Sequence, residues 1–430
     1  MRASLDTAAR AARPHWLIGF WALTRLVMLC LFWALFSYIR NDVNYYAMSV
    51  IDQPWPIIGD IRSVLVEYPT PVVWFLQVVS WFSGSSTDGY VLVFSLLMAA
   101  LDALACAALY RHDSPLAGWL WAGAGILLGP LMWFRFDLVP GLCVLAALYW
   151  VHRRPALAGT MIALGAGLKL WPALLIIPML GLTALARRRV LGFGITGTVL
   201  AVLSVGSQGL ARTLSPLTFQ SGRGLQIESV WATPLMVSRL WTGSDGPHVE
   251  FSQYQAYEIF ASSVSGWERA ASVSTVLVFL LALVLAWLIG FGGVGLPGHR
   301  LPAREGPRHE RAVLLAGVAL VCAVMVTDKT LSPQYLMWLF APLAICCARL
   351  ARQDQGPVAL RLAALGAAVI WLTQLVYPLS YAGLISSTDP NPGSTLLLVL
   401  RNLAFVALAA YSSYQAVRLS ALVGLGTAHK

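Results

Sequence analysis

SYIRNDVNYYAMSVIDQPWPIIGDIRSVLVEYPTPVVW, residues 37–74, breaks into an apolar chain with four carboxylates (Asp42, Asp52, Asp60, Glu67) and two arginines (Arg40, Arg62). Aromatic residues and prolines alternate with these charges, so the stretch reads as an ordered amphipathic loop rather than a solvated linker. Its far end decides the fold. The apolar run at 71–82 has only about half the ~20 residues that a bilayer crossing needs. Whether it crosses sets the side on which every later segment lies.

Around this loop the chain is 58% hydrophobic and 11% charged, with a mean hydropathy of +0.71. Soluble chains are nearer 45–50% apolar and about 25% charged. Continuous apolar runs of spanning length recur from end to end, which predicts an all-α polytopic membrane protein. A β-barrel is excluded because the runs do not alternate with period two. The net charge of +10 would suggest nucleic acid in a soluble protein. In a membrane chain it follows instead from Lys and Arg retained in cytoplasmic loops, so no nucleic-acid partner is expected. All six cysteines (30, 106, 143, 322, 346 and 347) fall inside apolar runs, which argues against a disulfide framework. The first apolar run lacks a small-residue cleavage site after it and reads as a retained helix.

Spans are predicted near 16–36, 90–110, 116–134, 138–151, 156–168, 171–186, 190–206, 271–290, 312–327, 335–348, 359–377 and 396–416, about twelve in all. The basic tail with Arg2, Arg10 and Arg13 places the N-terminus in the cytoplasm. If 71–82 lies flat in the outer interface, 18 of the 29 Lys and Arg fall inside and 10 outside, with both termini cytoplasmic. Making 71–82 a span would put the basic tail outside or the acidic opening loop inside, so the flat helix is preferred. The chain is then a single unit over 1–430, with a first outer loop at 37–89 and a long outer loop at 207–270. Arg25 and Asp102 lie within spans, each about nine residues from the cytoplasmic end and hence at similar depth. An unpaired charge there is costly, and the two are expected to pair as a helix clamp.

On this topology the outer side collects polar groups at helix ends. The opening loop supplies Asp42, Glu67 and Tyr68, and later turns supply Arg135, Asp137 and Lys169. The long loop adds Arg223 and Glu228; the turn near 330 adds Lys329, Gln334 and Tyr335; Arg401 opens the last span. Cations and carboxylates at one membrane face suit a reaction on a phosphate-bearing lipid. Arg and Lys bind the phosphate and stabilise it as it leaves, while a carboxylate takes the proton of an attacking hydroxyl. Phosphate is a good leaving group, so no general acid is required. The plain alternatives are that Asp42 caps a helix or pairs with Arg40, and that Lys169 snorkels from a short hairpin. A transporter would instead show polar residues through the midplane and two similar halves, and the sequence has only Arg25 and Asp102 clearly within the membrane.

Asp42 in Arg40-Asn41-Asp42-Val43-Asn44-Tyr45-Tyr46, followed by Glu67-Tyr68-Pro69, resembles the first outer loop of GT-C fold glycosyltransferases. Arg135-Phe136-Asp137, Gly165-x-Gly167-Leu168-Lys169-x-Trp171-Pro172 and Leu331-Ser332-Pro333-Gln334-Tyr335-Leu336 are similar to glycosyltransferase family 87. That family includes actinobacterial polyprenyl-phosphate-mannose-dependent α-1,2-mannosyltransferases acting on phosphatidylinositol mannosides and lipoglycans. The resemblance runs over about 16–345 and rests on the order of short motifs. It implies an inverting, metal-independent mannosyl transfer at the extracytoplasmic face of the plasma membrane. Asp42 would correspond to the catalytic aspartate, with Arg135, Lys169, Arg223 and Lys329 around the donor phosphate and sugar. The donor would be a polyprenyl-phospho-sugar (mannose, with arabinose as the alternative), the acceptor a glycolipid, and no cofactor is implied. The family's double proline is interrupted here as Pro69-Thr70-Pro71, which changes how the helix begins.

Overall fold

The computed structural model describes residues 14–51, 53, 59–243, 246–302, 304–386 and 389–425. Arg2, Arg10 and Arg13 of the basic tail, Asp52 and Lys430 lie outside the described residues. The helices in chain order are α1 (Pro14–Leu35), α2 (Asn41–Val50), α3 (Thr70–Ser80), α4 (Thr87–Ala108), α5 (Pro115–Leu128), α6 (Leu138–Trp150) and α7 (Pro155–Leu168). They continue with α8 (Ala184–Gly222), α9 (Thr233–Ser238), α10 (Val264–Gly290), α11 (Pro307–Thr327), α12 (Leu336–Arg352), α13 (Gly356–Gln374), α14 (Tyr381–Ile385) and α15 (Pro392–Ser420). Among the described residues, nine helical segments are long and apolar enough to cross a membrane, and the protein is a multi-pass membrane protein. α3, α6 and α7 are apolar but shorter, at 11, 13 and 14 residues.

Local chemistry starts these helices where the sequence punctuates them. Proline occupies the first turn of α5, α7, α11 and α15, where its missing N–H costs nothing. The hydroxyls of Ser86 and Ser114 accept from the amides of Gly89 and Ala117 at 3.0 and 3.2 Å, and Asn391 accepts from Ser394 at 3.0 Å. α12 is the centre of the bundle: every residue from Leu336 to Leu350 is buried, as suits a helix apolar on all sides. The outer faces of α1, α4, α8 and α10 expose Leu23, Leu96, Val202 and Leu277, a surface suited to lipid.

Two segments depart from the sequence expectation. The run at 171–186 is no straight helix: Trp171–Met179 forms a nine-residue 3-10 segment, and α8 begins only at Ala184. Pro178, inside the segment, removes a backbone donor there and interrupts a regular α ladder. The stretch expected to be loop from 207 is helical as far as Gly222, because α8 runs on after a kink at Gly209 (φ +82°). Pro216 leaves the carbonyl of Arg212 without its helical donor, and the Ser215 hydroxyl supplies one at 2.9 Å. Beyond α8 the chain adds an element absent from the all-α expectation, an antiparallel hairpin of β1 (His248–Phe251) and β2 (Tyr257–Phe260) with Glu250 opposite Glu258.

α7 and α8 cross by backbone contact. A Cβ on Gly159 would lie 1.9 Å from the Arg189 carbonyl oxygen, and one on Gly192 would lie 2.0 Å from that of Ala156. Small residues at such a crossing let apolar helices pack without a hydrophobic drive.

Because successive helices reverse direction, their ends gather at two opposite faces. One face joins Asp42, Arg135, Asp137, Lys169 and Trp338. The other joins Asp113 to Arg349 at 2.7 Å, Arg349 to Glu310 at 2.5 Å and Arg189 to Glu305 at 2.6 Å. Between the faces, Arg25 of α1 and Asp102 of α4 do pair, through two contacts of 2.8 and 2.7 Å. Trp121 Nε1 donates to the same carboxylate at 2.8 Å, and Arg25 also donates to the Ala122 carbonyl at 2.8 Å. Both charges are therefore satisfied inside the protein.

Candidate active site

The site begins where α1 ends. A 3-10 turn over Ser37–Arg40 leads into α2, whose spacing buries Val43, Tyr46, Ala47 and Val50 on one face. Asp42 sits at the edge of that face in the first turn of α2, where the helix dipole favours a carboxylate. Its side chain is 40% exposed, so a substrate can reach it. Arg40 does not pair with it but approaches Asp88 at 3.7 Å. The cation at Asp42 is Arg135, with Nε 3.0 Å from Oδ2.

Arg135 is itself immobilised. Its Nη1 donates to the carbonyls of Ile39 and Phe134 at 2.7 and 2.9 Å, tying the turn after α5 to the end of α1. The Nε approach to Asp42 is a charge contact without hydrogen-bond alignment. Among the described residues, no side chain donates an aligned hydrogen bond to Asp42, which leaves its lone pairs open to an incoming hydroxyl. Removal from water raises the carboxyl pKa of Asp42, Arg135 opposes that rise, Asp137 adds to it and Lys169 opposes it. A raised pKa is what a general base requires.

Asp137 lies beside this pair and is buried. One of its oxygens accepts from Lys169 Nζ and from Trp338 Nε1, both at 2.7 Å. The Lys169 ammonium also sits 5.0, 5.2 and 5.9 Å from the ring centres of Tyr335, Trp338 and Tyr68, an aromatic cage around a fixed cation. Tyr335 and Trp338 stack at 3.9 Å on the turn into α12. The Tyr68 hydroxyl lies 3.0 Å from that of Tyr46, and Tyr45 donates to Glu67 at 2.8 Å. Asp42, Arg135, Asp137, Lys169, Tyr68 and Tyr335 thus form one constellation, with Glu67 at its rim.

The remaining candidates form a second layer. Lys329 Nζ donates to the carbonyl oxygens of Ser221, at 3.0 Å, and of Arg223, so it pins the end of α8. The Gly224 amide donates to Glu258 at 3.1 Å, placing Arg223 beside the hairpin. Gln226 links this layer to the constellation: its amide donates to the Lys329 carbonyl at 3.1 Å and its side chain to Ser332 at 3.2 Å. Gln334 is half-buried in the short turn before α12 and makes no side-chain hydrogen bond to another described residue. Glu228 is fully buried against Arg401, whose Nη2 donates to its carbonyl at 2.8 Å and lies 3.5 Å from its carboxylate. Burial pushes the Glu228 carboxyl up to about 7 in spite of Arg401.

The sequence reading missed Trp338, Tyr377 and Arg212. Trp338 follows Tyr335 at the i, i+3 spacing that shares a helical face, a signal that was present. Tyr377 lies 3.5 Å from Arg135 Nη2, and its ring meets Tyr381 at 5.0 Å, a chain of tyrosines reaching toward Glu228. Arg212 donates to the carbonyls of Val64, Leu65 and Tyr68 at 3.0, 3.1 and 3.0 Å, and so holds the loop that delivers Glu67 and Tyr68. No local pattern announces either role.

No protein-family model, curated protein or solved structure matches the chain.

Proposed function

We propose that this chain is a membrane glycosyltransferase of the GT-C type, similar to family 87. In this reading it moves a mannosyl residue from polyprenyl-phosphate-mannose to a glycolipid such as a phosphatidylinositol mannoside. The observation that carries the reading is Asp42: open to substrate, without an aligned donor among the described residues, and near both Arg135, at 3.0 Å, and the Asp137–Lys169 pair. Asp42 removes the proton of an acceptor hydroxyl, and that oxygen forms a bond to the anomeric carbon. The bond from that carbon to the phosphate oxygen breaks on the opposite side, giving inversion. The departing phosphate gains negative charge beside Arg135 and Lys169, which are held in place before it develops. The half-buried ring of Tyr68 offers an apolar face to a sugar, while the buried, mutually stacked Tyr335 and Trp338 hold Lys169 in place.

Helix lengths support a lipid-linked donor. α6 and α7 are about 20 Å long at ~1.5 Å per residue, and the 3-10 segment Trp171–Met179 is about 18 Å at ~2.0 Å per residue. A bilayer's hydrocarbon core is about 30 Å thick, so site residues at the ends of these short segments lie recessed near headgroup depth. In this arrangement the chain crosses about twelve times, with the site extracytoplasmic, α3 in the outer interface and both termini cytoplasmic.

The decisive assay uses purified protein with polyprenyl-phospho-mannose and a panel of glycolipid acceptors, followed by mass spectrometry of the lipids. Growth of an acceptor by one hexose is expected. Transfer from polyprenyl-phospho-arabinose alone would replace the donor assignment, and no transfer from either donor would sink the enzyme reading.

A further inference from the structure

On the face opposite Asp42, three side chains from two segments distant in sequence converge on one point. His152 Nε2 lies 3.2 Å from His309 Nδ1 and 3.3 Å from Glu305 Oε2, and His309 Nδ1 lies 3.5 Å from the same oxygen. His152 follows α6, Glu305 precedes α11 and His309 is in its first turn. The geometry points to a divalent transition-metal site of the zinc class, held by His152, Glu305 and His309.

Three arguments carry this. A triangle with these edges places its centre roughly 2 Å from all three atoms, the bond length of zinc to His nitrogen and carboxylate oxygen. Four-coordinate zinc then has one position left for water. The donor set is also right in kind, since two imidazoles and a carboxylate suit zinc rather than calcium or magnesium, which prefer oxygen. Finally, the carboxylate is held ready. Glu305 Oε1 is engaged by Arg189 Nη2 at 2.6 Å and by the Thr183 hydroxyl, while Oε2 takes Arg189 Nη1 at 2.7 Å and keeps a lone pair for the ion. Such outer partners orient metal ligands. Arg189 is anchored in turn by the Val151 carbonyl at 3.0 Å.

The proposed ion is remote from Asp42. α6 separates His152 from Asp137 by about 20 Å at ~1.5 Å per residue, so the ion does not touch the reacting atoms. It would fasten the connection between α10 and α11 to the ends of α6 and α8, whatever reaction the other face performs. Without an ion, the same contacts would have to be made by a proton shared between two imidazoles and a carboxylate.

Full-length protein in detergent, with any histidine tag removed, is stripped with chelator and titrated with Co²⁺. One equivalent should produce the visible absorption of a four-coordinate cobalt site, displaced by Zn²⁺ and not by Mg²⁺, and Zn²⁺ should raise the unfolding temperature. His152→Ala, which alters the most exposed ligand, should weaken Co²⁺ binding at least tenfold while the protein stays folded. Glu305→Gln should do the same. Folded wild-type protein that shows no cobalt band and no Zn²⁺-dependent shift overturns the proposal and leaves the shared proton as the clamp.

Discussion

In the proposed reaction Asp42 carries the most weight, because it is open to substrate and its charge is only partly neutralised by Arg135. Asp42→Asn keeps its size and removes the base, and general-base catalysis is worth about 10²–10⁴-fold. Turnover should fall by that factor while donor binding, measured by direct titration, stays within about twofold. Normal turnover in the variant would end the assignment. The pH profile tests the same residue. The base must be ionised, so activity is present above its pKa and lost as pH falls through it. That pKa is raised by loss of water and lowered by Arg135, so the acid limb should lie above the ordinary aspartate range. Arg135→Gln removes the lowering charge and should move the limb to higher pH, read as kcat/KM against pH. An unmoved limb would mean that another group titrates. Asp42 was singled out among the four carboxylates of its stretch by the resemblance of that loop to GT-C glycosyltransferases. Its cation was not, because Arg40 is nearer in sequence and Arg135 is nearer in space.

At the scale of elements, the kink in α8 positions the opening loop. Gly209 adopts φ +82° and ψ 165°, a region that only glycine occupies readily. Gly209→Ala should destabilise the protein by about 1–3 kcal/mol, seen as a lower unfolding temperature in detergent. On either side of the kink, Gln208 accepts from the Ile61 amide at 3.0 Å and Arg212 caps three loop carbonyls. Arg212→Gln should therefore speed hydrogen exchange across residues 59–68 and leave α12 unchanged; equal rates in both proteins would remove Arg212 from this role. Apolar periodicity located the nine segments that, among the described residues, are long and apolar enough to cross; the runs at 138–151 and 156–168 form helices of only 13 and 14 residues. It failed at 171–186, where proline spacing selects a 3-10 path, and at 207–222, where helix continues without apolar character because its partner is a polar loop.

Over the whole molecule, stability depends on satisfying the few charges that the bilayer cannot. Asp102→Ala strips Arg25 of both its contacts to a carboxylate and leaves Trp121 Nε1 without its acceptor, and breaking a buried pair costs about 3–5 kcal/mol. The loss should appear as a large drop in unfolding temperature. Removing Asp60 from its exposed pair with Arg62 should leave that temperature unchanged. Equal effects from both variants would mean that Arg25 finds water or another partner in the bundle.

Residue order alone determined the class of this protein, the positions of most spans, the depth match of Arg25 with Asp102, and Asp42 as the first residue to test. The first three depend on composition and on helical periodicity, which a chain displays locally; Asp42 was singled out by the resemblance of its loop to GT-C glycosyltransferases. Tertiary structure decided which cation meets which carboxylate, where Lys169 lies among its aromatic rings, that Lys329 spends itself on backbone carbonyls, and that His152, Glu305 and His309 meet at one point. Each of these depends on helix ends distant in sequence arriving at the same face. That depends on the paths of kinked and shortened helices, which periodicity does not encode.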